Sequence, residues 1–346
     1  MEILLGLLII AIGSLGQSSS YVPIRRVKEW SWESFWLTQG IFAWLVFPFL
    51  GALLGVPADS GLFSLYSTGG ALKSIMFGVL WGVGGLTFGL SMRYLGVALG
   101  QSIALGTCSA FGTLIPALLK GTSLFHGEGL ILLIGVCVAL AGISVIGYAG
   151  SLRAKNMSEE EKRAAIKDFA LTKGLLVALL AGVMSACFAL GLDAGDSIKM
   201  ELVEKWRVNP LFAGLPVVLL VTFGGFLTNA AYCIFQNIKN KTYRDYGSVP
   251  SSTLINNLLF CALAGVLWYS QFFGLEMGKN FLAQSPVLLA FSWSILMSFN
   301  ILFSNLWGIW LKEWKGVSRQ TIIVLVAGLL VLVISTLLPK LLEMAL

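Results

Sequence analysis

The side chains of this chain that could do chemistry are mostly neutral and aromatic. The string LWYSQFFGLEM, residues 267–277, sets Trp268, Gln271 and Leu275 on one helical face, with Tyr269 and Phe272 flanking it. An indole packs against the C–H face of a sugar ring, and a carboxamide offers paired donors and acceptors to hydroxyls. The combination suits a neutral polyol and needs no charged clamp. Gln101 and Gln284 occupy the matching strings LGQS and LAQS, in apolar surroundings where an amide must find a partner away from water. Trp81 and Trp293 join them as candidate substrate-binding residues, with Asn229, Asn256, Asn257 and Asn300 behind. Such aromatics serve equally as packing or as an interfacial belt, so the binding reading rests on their company with amides.

Charge is scarce between the polar stretches. Glu276 and Asp193 stand at the outer ends of two apolar blocks, where a carboxyl in a partly dry cavity can take up a proton, so these two are the expected proton-coupling residues. Arg93 and Glu33, near the inner surface, form an expected inner gate or else anchor to lipid headgroups.

Enzyme chemistry has no constellation to work with. The single histidine, His126, lies in a short loop beside Gly127 and Glu128, and no HExxH, nucleophile elbow or dinucleotide-binding glycine fingerprint occurs. The cysteines, Cys108, Cys137, Cys187, Cys233 and Cys261, each sit alone in an apolar run, which writes neither a disulfide framework nor a zinc site. No metal and no cofactor is expected. The 23 Lys and Arg residues give a net charge of +6, but they are scattered between apolar blocks, as cytoplasmic loops facing anionic lipid would be and a nucleic-acid groove would not.

What must position these residues is a set of helices in lipid. Of 346 residues, 57% are hydrophobic and 12% charged, with a mean hydropathy of +0.86; a soluble domain carries about 25% charge, so a water-soluble globule is excluded. A hydrocarbon core about 30 Å thick needs roughly 20 helical residues to cross it. Ten apolar blocks of that order lie near 3–22, 34–56, 72–91, 95–118, 129–149, 174–192, 210–234, 253–275, 284–310 and 320–342. Helices are required, because an open sheet would leave backbone groups unpaired in lipid. The N-terminal run follows an acid, Glu2, and precedes Arg25 and Arg26; a cleaved signal carries its positive charge first, so this run is expected to stay as the first span.

Five blocks precede the polar stretch 151–173 and five follow it. Two related halves with an odd number of spans insert in opposite directions, as an inverted pair around an axis in the membrane plane. Traces of duplication are present: FGLSM at 88–92 and FGLEM at 273–277, each followed by LGQS or LAQS, and GLLIIAIGS from Gly6 beside GLLVALLAG from Gly174. The expected fold is therefore an all-α integral membrane protein with ten transmembrane helices in two inverted five-helix repeats. Residues 1–150 form the first, 174–346 the second, and 151–173 a cytoplasmic linker. In the linker, Ser158 before Glu159, Glu160 and Glu161 predicts a short capped amphipathic helix. An N-terminus outside puts 16 Lys and Arg in cytoplasmic loops and 7 on the other side, which favours both termini outside. Inverted repeats are the architecture of alternating-access transport around a midplane site.

The strings VPIRRVKEWSWESFW at 22–36, GVLWGVGGLTFGLSMRYLG at 78–96, WYSQFF at 268–273, SWSILMSF at 292–299 and LKEW at 311–314 resemble the L-rhamnose–proton symporter family, a ten-span branch of the drug/metabolite transporter superfamily. The resemblance runs over nearly the whole chain. It implies uptake of the 6-deoxyhexose L-rhamnose with a proton across a bacterial inner membrane. It also implies that the matching residues Trp268, Tyr269, Gln271, Gln284 and Trp293 serve the substrate. The superfamily commonly places both termini inside, opposite to the charge count. The chain departs from the family pattern after the eighth block, where Lys279 follows Gly278 in place of His and Glu276 supplies an acid. Import of L-rhamnose or a related neutral deoxy sugar with a proton is the expected function. Alternatives are export of a metabolite or drug and, from another class, a non-transporting membrane sensor or structural subunit.

Overall fold

A computed structural model describes residues 2–56, 69–95, 97–155, 171–312 and 314–345, and every regular element among them is helical. Among the described residues, ten helices are long and apolar enough to cross a membrane: Glu2–Ile24, Trp32–Leu54, Gly70–Met92, Gly100–Leu119, Gly127–Arg153, Thr172–Glu204, Leu215–Asn240, Ser251–Leu282, Pro286–Trp310 and Arg319–Ala345. They are numbered here first to tenth span in chain order, and each corresponds to one predicted block. The sixth and eighth run beyond their blocks. The sixth continues past a break at Gly195 into Asp196–Glu204, and the eighth is helical to Leu282. The capped helix expected after Ser158 falls outside the described residues.

The chain forms two compact units that cut across its two sequence halves. The first comprises Met1–Leu7, Val83–Leu190 and Phe281–Leu346, and the second Leu8–Gly82 and Gly191–Asn280. The divisions at Gly82/Val83 and Leu190/Gly191 fall inside the third and sixth spans.

In the first unit the fifth and tenth spans pack along their lengths. Ala139, Ile143, Ile146 and Ala149 are buried against Leu325, Leu329 and Leu332, with Ile301 of the ninth span. Lipid tails are as apolar as these side chains, so close backbone approach and hydrogen bonds hold such helices together. At the crossing, a Cβ on Gly142 would come within 3.1 Å of the Gly328 carbonyl oxygen. Between the fourth and ninth spans, the Ser294 hydroxyl lies 2.9 Å from that of Ser109 and 2.8 Å from that of Thr113.

The second unit uses the same devices. The Ser270 hydroxyl donates to the Gly13 carbonyl at 2.9 Å, where the first and eighth spans meet backbone to backbone through Gly13 and Gly274. The third and seventh spans touch through Gly78 and Gly224, and the eighth meets the second where Gly265 faces Phe42 and Ala43.

Candidate functional site

The second span is not uniform. It is α-helical over Trp32–Gly40, π-helical over Ile41–Val46 and α-helical again over Phe47–Leu54. Pro48 explains the wide turn: it has no N–H to give to the Trp44 carbonyl four residues back, and its ring crowds that oxygen. A π turn absorbs an extra residue and often marks a functional position. Here it carries Trp44.

Trp44 lies at the centre of an aromatic cluster built wholly within the second unit. Its indole meets Trp81 at 6.0 Å and 90° and Trp268 at 6.0 Å and 81°, while Trp81 and Trp268 lie 5.8 Å apart, tilted by 34°. Three indoles thus form a near-equilateral triangle. Trp36 extends it at 5.7 Å from Trp44, and Phe272 at 5.2 Å from Trp268. Glycines make room: Gly40 lies under the Trp44 ring and Gly225 under that of Trp81, and a Cβ at either would collide with the indole. Trp44 is buried, whereas Trp81 and Trp268 keep part of their surface exposed.

Several buried polar atoms of this unit lack partners among the described residues. Ser14 Oγ, Gln39 Oε1, Trp44 Nε1 and the Tyr269 hydroxyl are buried with no hydrogen-bond partner among the described residues. Leaving such a group unpaired costs about 1–3 kcal/mol each, so four of them on the first, second and eighth spans are a reserve of hydrogen-bonding capacity. Gln271 is buried and donates to the Trp268 carbonyl at 3.1 Å.

The structure thus brings together Trp81, Trp268, Tyr269 and Gln271 in one unit. It places Gln101, Gln284 and Trp293 in the other. Gln101 is half-buried in the fourth span. Gln284 is exposed in the turn after Leu282, where its amide donates to the Glu2 carboxylate; the longer eighth helix carries the turn out past the expected boundary. Trp293 is buried, donates to the Cys108 carbonyl at 3.2 Å and stacks on Phe188 at 5.9 Å. Two of the asparagines are visibly engaged. Asn229 accepts from Trp36 Nε1 at 3.0 Å, and Asn257 clasps the backbone of Lys28 from both sides, at 3.0 and 2.8 Å.

Glu276, Asp193 and Glu33 all belong to this unit. Glu276 is buried, with Lys279 Nζ at 2.6 Å from one oxygen and Lys199 Nζ at 3.7 Å from the other, and Gly214 leaves space for its carboxylate. Asp193 is half-buried at the end of the first helical stretch of the sixth span. Glu33 is buried in the first turn of the second span and accepts from Asn240 Nδ2 at 2.8 Å and from Thr242 Oγ1 at 2.9 Å. Lys241, between those two donors, sits at φ +60°, a left-handed conformation that costs a side-chain-bearing residue about 1–2 kcal/mol. Arg93 lies within the third helix, and its side chain is outside what the structure describes.

Next to Glu33, Asp245 closes the network. Its Oδ2 accepts from the Ser31 amide at 2.8 Å and the Ser31 hydroxyl at 2.7 Å. Burial pushes this carboxyl up, but the hydrogen bonds from Ser31 and Ser34 outweigh it and hold the group below the ordinary carboxylate range. Trp44, Gln39 and Trp36 are absent from the sequence-level candidates. The signal for them was the pairing of Gly40 with Pro48 around the run IFAWLVF, which marks a broken helical period.

A family model described as L-rhamnose-proton symport protein matches residues 1–345. The chain belongs to this family. Among its relatives, the L-rhamnose-proton symporters of Yersinia pestis (strain Pestoides F) and Yersinia pseudotuberculosis serotype O:3 (strain YPIII) are each 34% identical over 338 residues, which covers 96% of this chain and 96% of theirs. As a member of the L-rhamnose-proton symport family the chain is a multi-pass membrane transporter. The indole triangle and the buried amides lie inside the family match.

Proposed function

We propose that this chain imports L-rhamnose, or a closely related neutral deoxy sugar, together with a proton across a bacterial inner membrane. The observation that carries the reading is the triangle of Trp44, Trp81 and Trp268 in the same unit as buried, unpartnered polar atoms of Gln39, Trp44 and Tyr269. An aromatic surface takes the apolar face of a 6-deoxy sugar, including its methyl group, and the amide, indole N–H and phenol serve its hydroxyls. Trp268, Tyr269, Gln271 and Trp81 are the binding residues of this reading, and Gln39 and Trp44 are added to them.

For the conformational cycle we propose two inverted five-helix repeats that expose the site alternately to either side. Helix pairing supports it. If the first to fifth spans match the sixth to tenth, the second pairs with its own mate, the seventh; the fourth with the ninth; and the fifth with the tenth. The glycine contacts also come as mates: first with eighth at Gly13 and sixth with third at Gly84, third with seventh at Gly78 and eighth with second at Gly265.

Coupling needs a group that takes up and releases a proton, and Glu33, Glu276 and Asp193 are the candidate acids of the second unit. The test is uptake of labelled L-rhamnose by cells expressing the chain, with and without an uncoupler, while external pH is followed. Uncoupler-sensitive accumulation with alkalinisation of the medium is expected. Rhamnose uptake without either would remove the proton from the proposal, and no uptake would favour an exporter or a non-transporting protein.

A further inference from the structure

We infer that Glu33 is the residue that binds and releases the coupling proton; the inference rests on the symport reading above. The geometry around its carboxyl satisfies both protonation states without moving a heavy atom. Thr242 Oγ1 lies 2.9 Å from Glu33 Oε1 and 3.1 Å from Asn237 Oδ1. When Glu33 is charged, the Thr242 hydroxyl donates to it. When Glu33 is protonated, its own O–H donates to Thr242 Oγ1, and the threonine hydrogen turns to Asn237 Oδ1. One hydrogen bond reverses and another is made, so neither state leaves a buried polar group unpaired. The proton balance is simple: a carboxylate and one proton from water on the loading side give a carboxylic acid, and the reverse step delivers the proton to the other side.

The surroundings fit a group that changes charge. Asn240 donates to the same oxygen in either state, because an amide N–H finds a lone pair on a carboxylate and on a carboxylic acid alike. The titratable neighbours across the packed elements are Asp245, Tyr246 and Cys233, and Lys239, Lys241 and Arg244 are exposed on the adjoining turn. Among the described residues no ammonium or guanidinium pairs with Glu33 within ion-pair distance, whereas Glu276 is clamped by two lysines. Among the described residues, loading a proton onto Glu33 therefore breaks no salt bridge. A further chain of contacts leads outward. Asn237 Oδ1 also accepts from the Ser34 hydroxyl at 2.9 Å, which lies 2.9 Å from the Ser31 hydroxyl, itself a donor to Asp245 at 2.7 Å. Asp245 lies beyond the end of the seventh span and is half-buried.

The test compares wild type with Glu33→Gln in reconstituted vesicles. The variant is expected to lose uphill rhamnose accumulation and sugar-evoked proton movement while retaining exchange of labelled for unlabelled rhamnose, which needs no net proton transfer. Proton-coupled accumulation by Glu33→Gln at the wild-type level would overturn the inference. A wild type that moves no proton would instead sink the symport reading itself. If Glu33→Gln fails to exchange sugar, Thr242 decides: Thr242→Val is expected to displace the pH midpoint of uptake, and Thr242→Ser, which keeps the hydroxyl, to leave it in place. Coincident pH profiles for Thr242→Val and wild type would also overturn the inference.

Discussion

The indole of Trp44 stands at 90° to that of Trp81, with 6.0 Å between ring centroids, and its Nε1 is buried without a partner. The edge-on arrangement fixes the ring, and the free N–H remains for a hydroxyl. Trp44→Phe removes the donor and part of the indole, and the packing lost is offset by the removal of an unpaired buried N–H. We expect the KM for L-rhamnose to rise about tenfold, the equivalent of one lost hydrogen bond of ~1.4 kcal/mol, with little change in thermal stability. Labelled-sugar uptake alongside thermal unfolding in detergent checks both halves of this expectation, and an unchanged KM would remove Trp44 from the site.

Trp293 lies in the other unit, and we expect it to act in packing. It stacks on Phe188, spends its N–H on the Cys108 carbonyl and lies where Gly112 has no side chain. Trp293→Ala should cost about 3–5 kcal/mol of stability and lower the yield of folded protein. Where protein can be recovered, its affinity for rhamnose should match wild type. Normal thermal stability with a large loss of affinity would return Trp293 to the binding residues.

Glu276 holds two lysines whose side chains are 28% and 21% exposed. Glu276→Gln leaves both ammonium groups without their carboxylate, at a cost of about 2 kcal/mol, below the usual range for a buried pair because the lysines reach water. The expected outcome is a lower unfolding temperature with sugar-evoked alkalinisation intact. Loss of alkalinisation at unchanged stability would make Glu276 the proton-coupling residue.

Asp245 gives a pH dependence with a definite sign. Its folded-state carboxyl lies below the ordinary range, so the stability it contributes is fully present above the unfolded value of about 3.9 and disappears as pH falls through the lower folded value. The stability difference between wild type and Asp245→Asn should thus stay constant from neutral pH down to about pH 5 and shrink only in stronger acid. Unfolding curves over that range measure it; a difference that already shrinks between pH 7 and 5 would contradict the hydrogen bonds from Ser31.

The ten spans were legible because hydrocarbon thickness sets a length that few other constraints disturb. The nearness of Trp268 to Gln271 was legible for a similar reason: a regular helix puts residues three apart on one side, and the eighth span is regular there. Trp44 was not, because the π turn at Ile41–Val46 breaks the period by which a buried face is recognised, and its aliphatic neighbours look like a lipid-facing surface. The placement of Gln284 was hidden for a different reason. Its string resembles that of Gln101, yet one falls in a turn and the other within a helix, since string similarity carries no information about where the preceding helix stops. Glu33 was visible as an acid near a membrane surface, but its partners Asn240 and Thr242 lie more than 200 residues away, and only the folded chain brings them to it.

The wide turn ahead of Pro48 also sets where this polypeptide can tolerate a change in length. Deleting one amino acid from an ordinary membrane helix swings everything beyond the cut by about 100°, carrying greasy surface inward and polar groups toward the acyl chains. Between Ile41 and Val46 the helix already contains one member more than a tighter winding would need, so a one-residue deletion there, unlike one elsewhere in the second span, relaxes to ordinary winding and leaves both flanks facing as before.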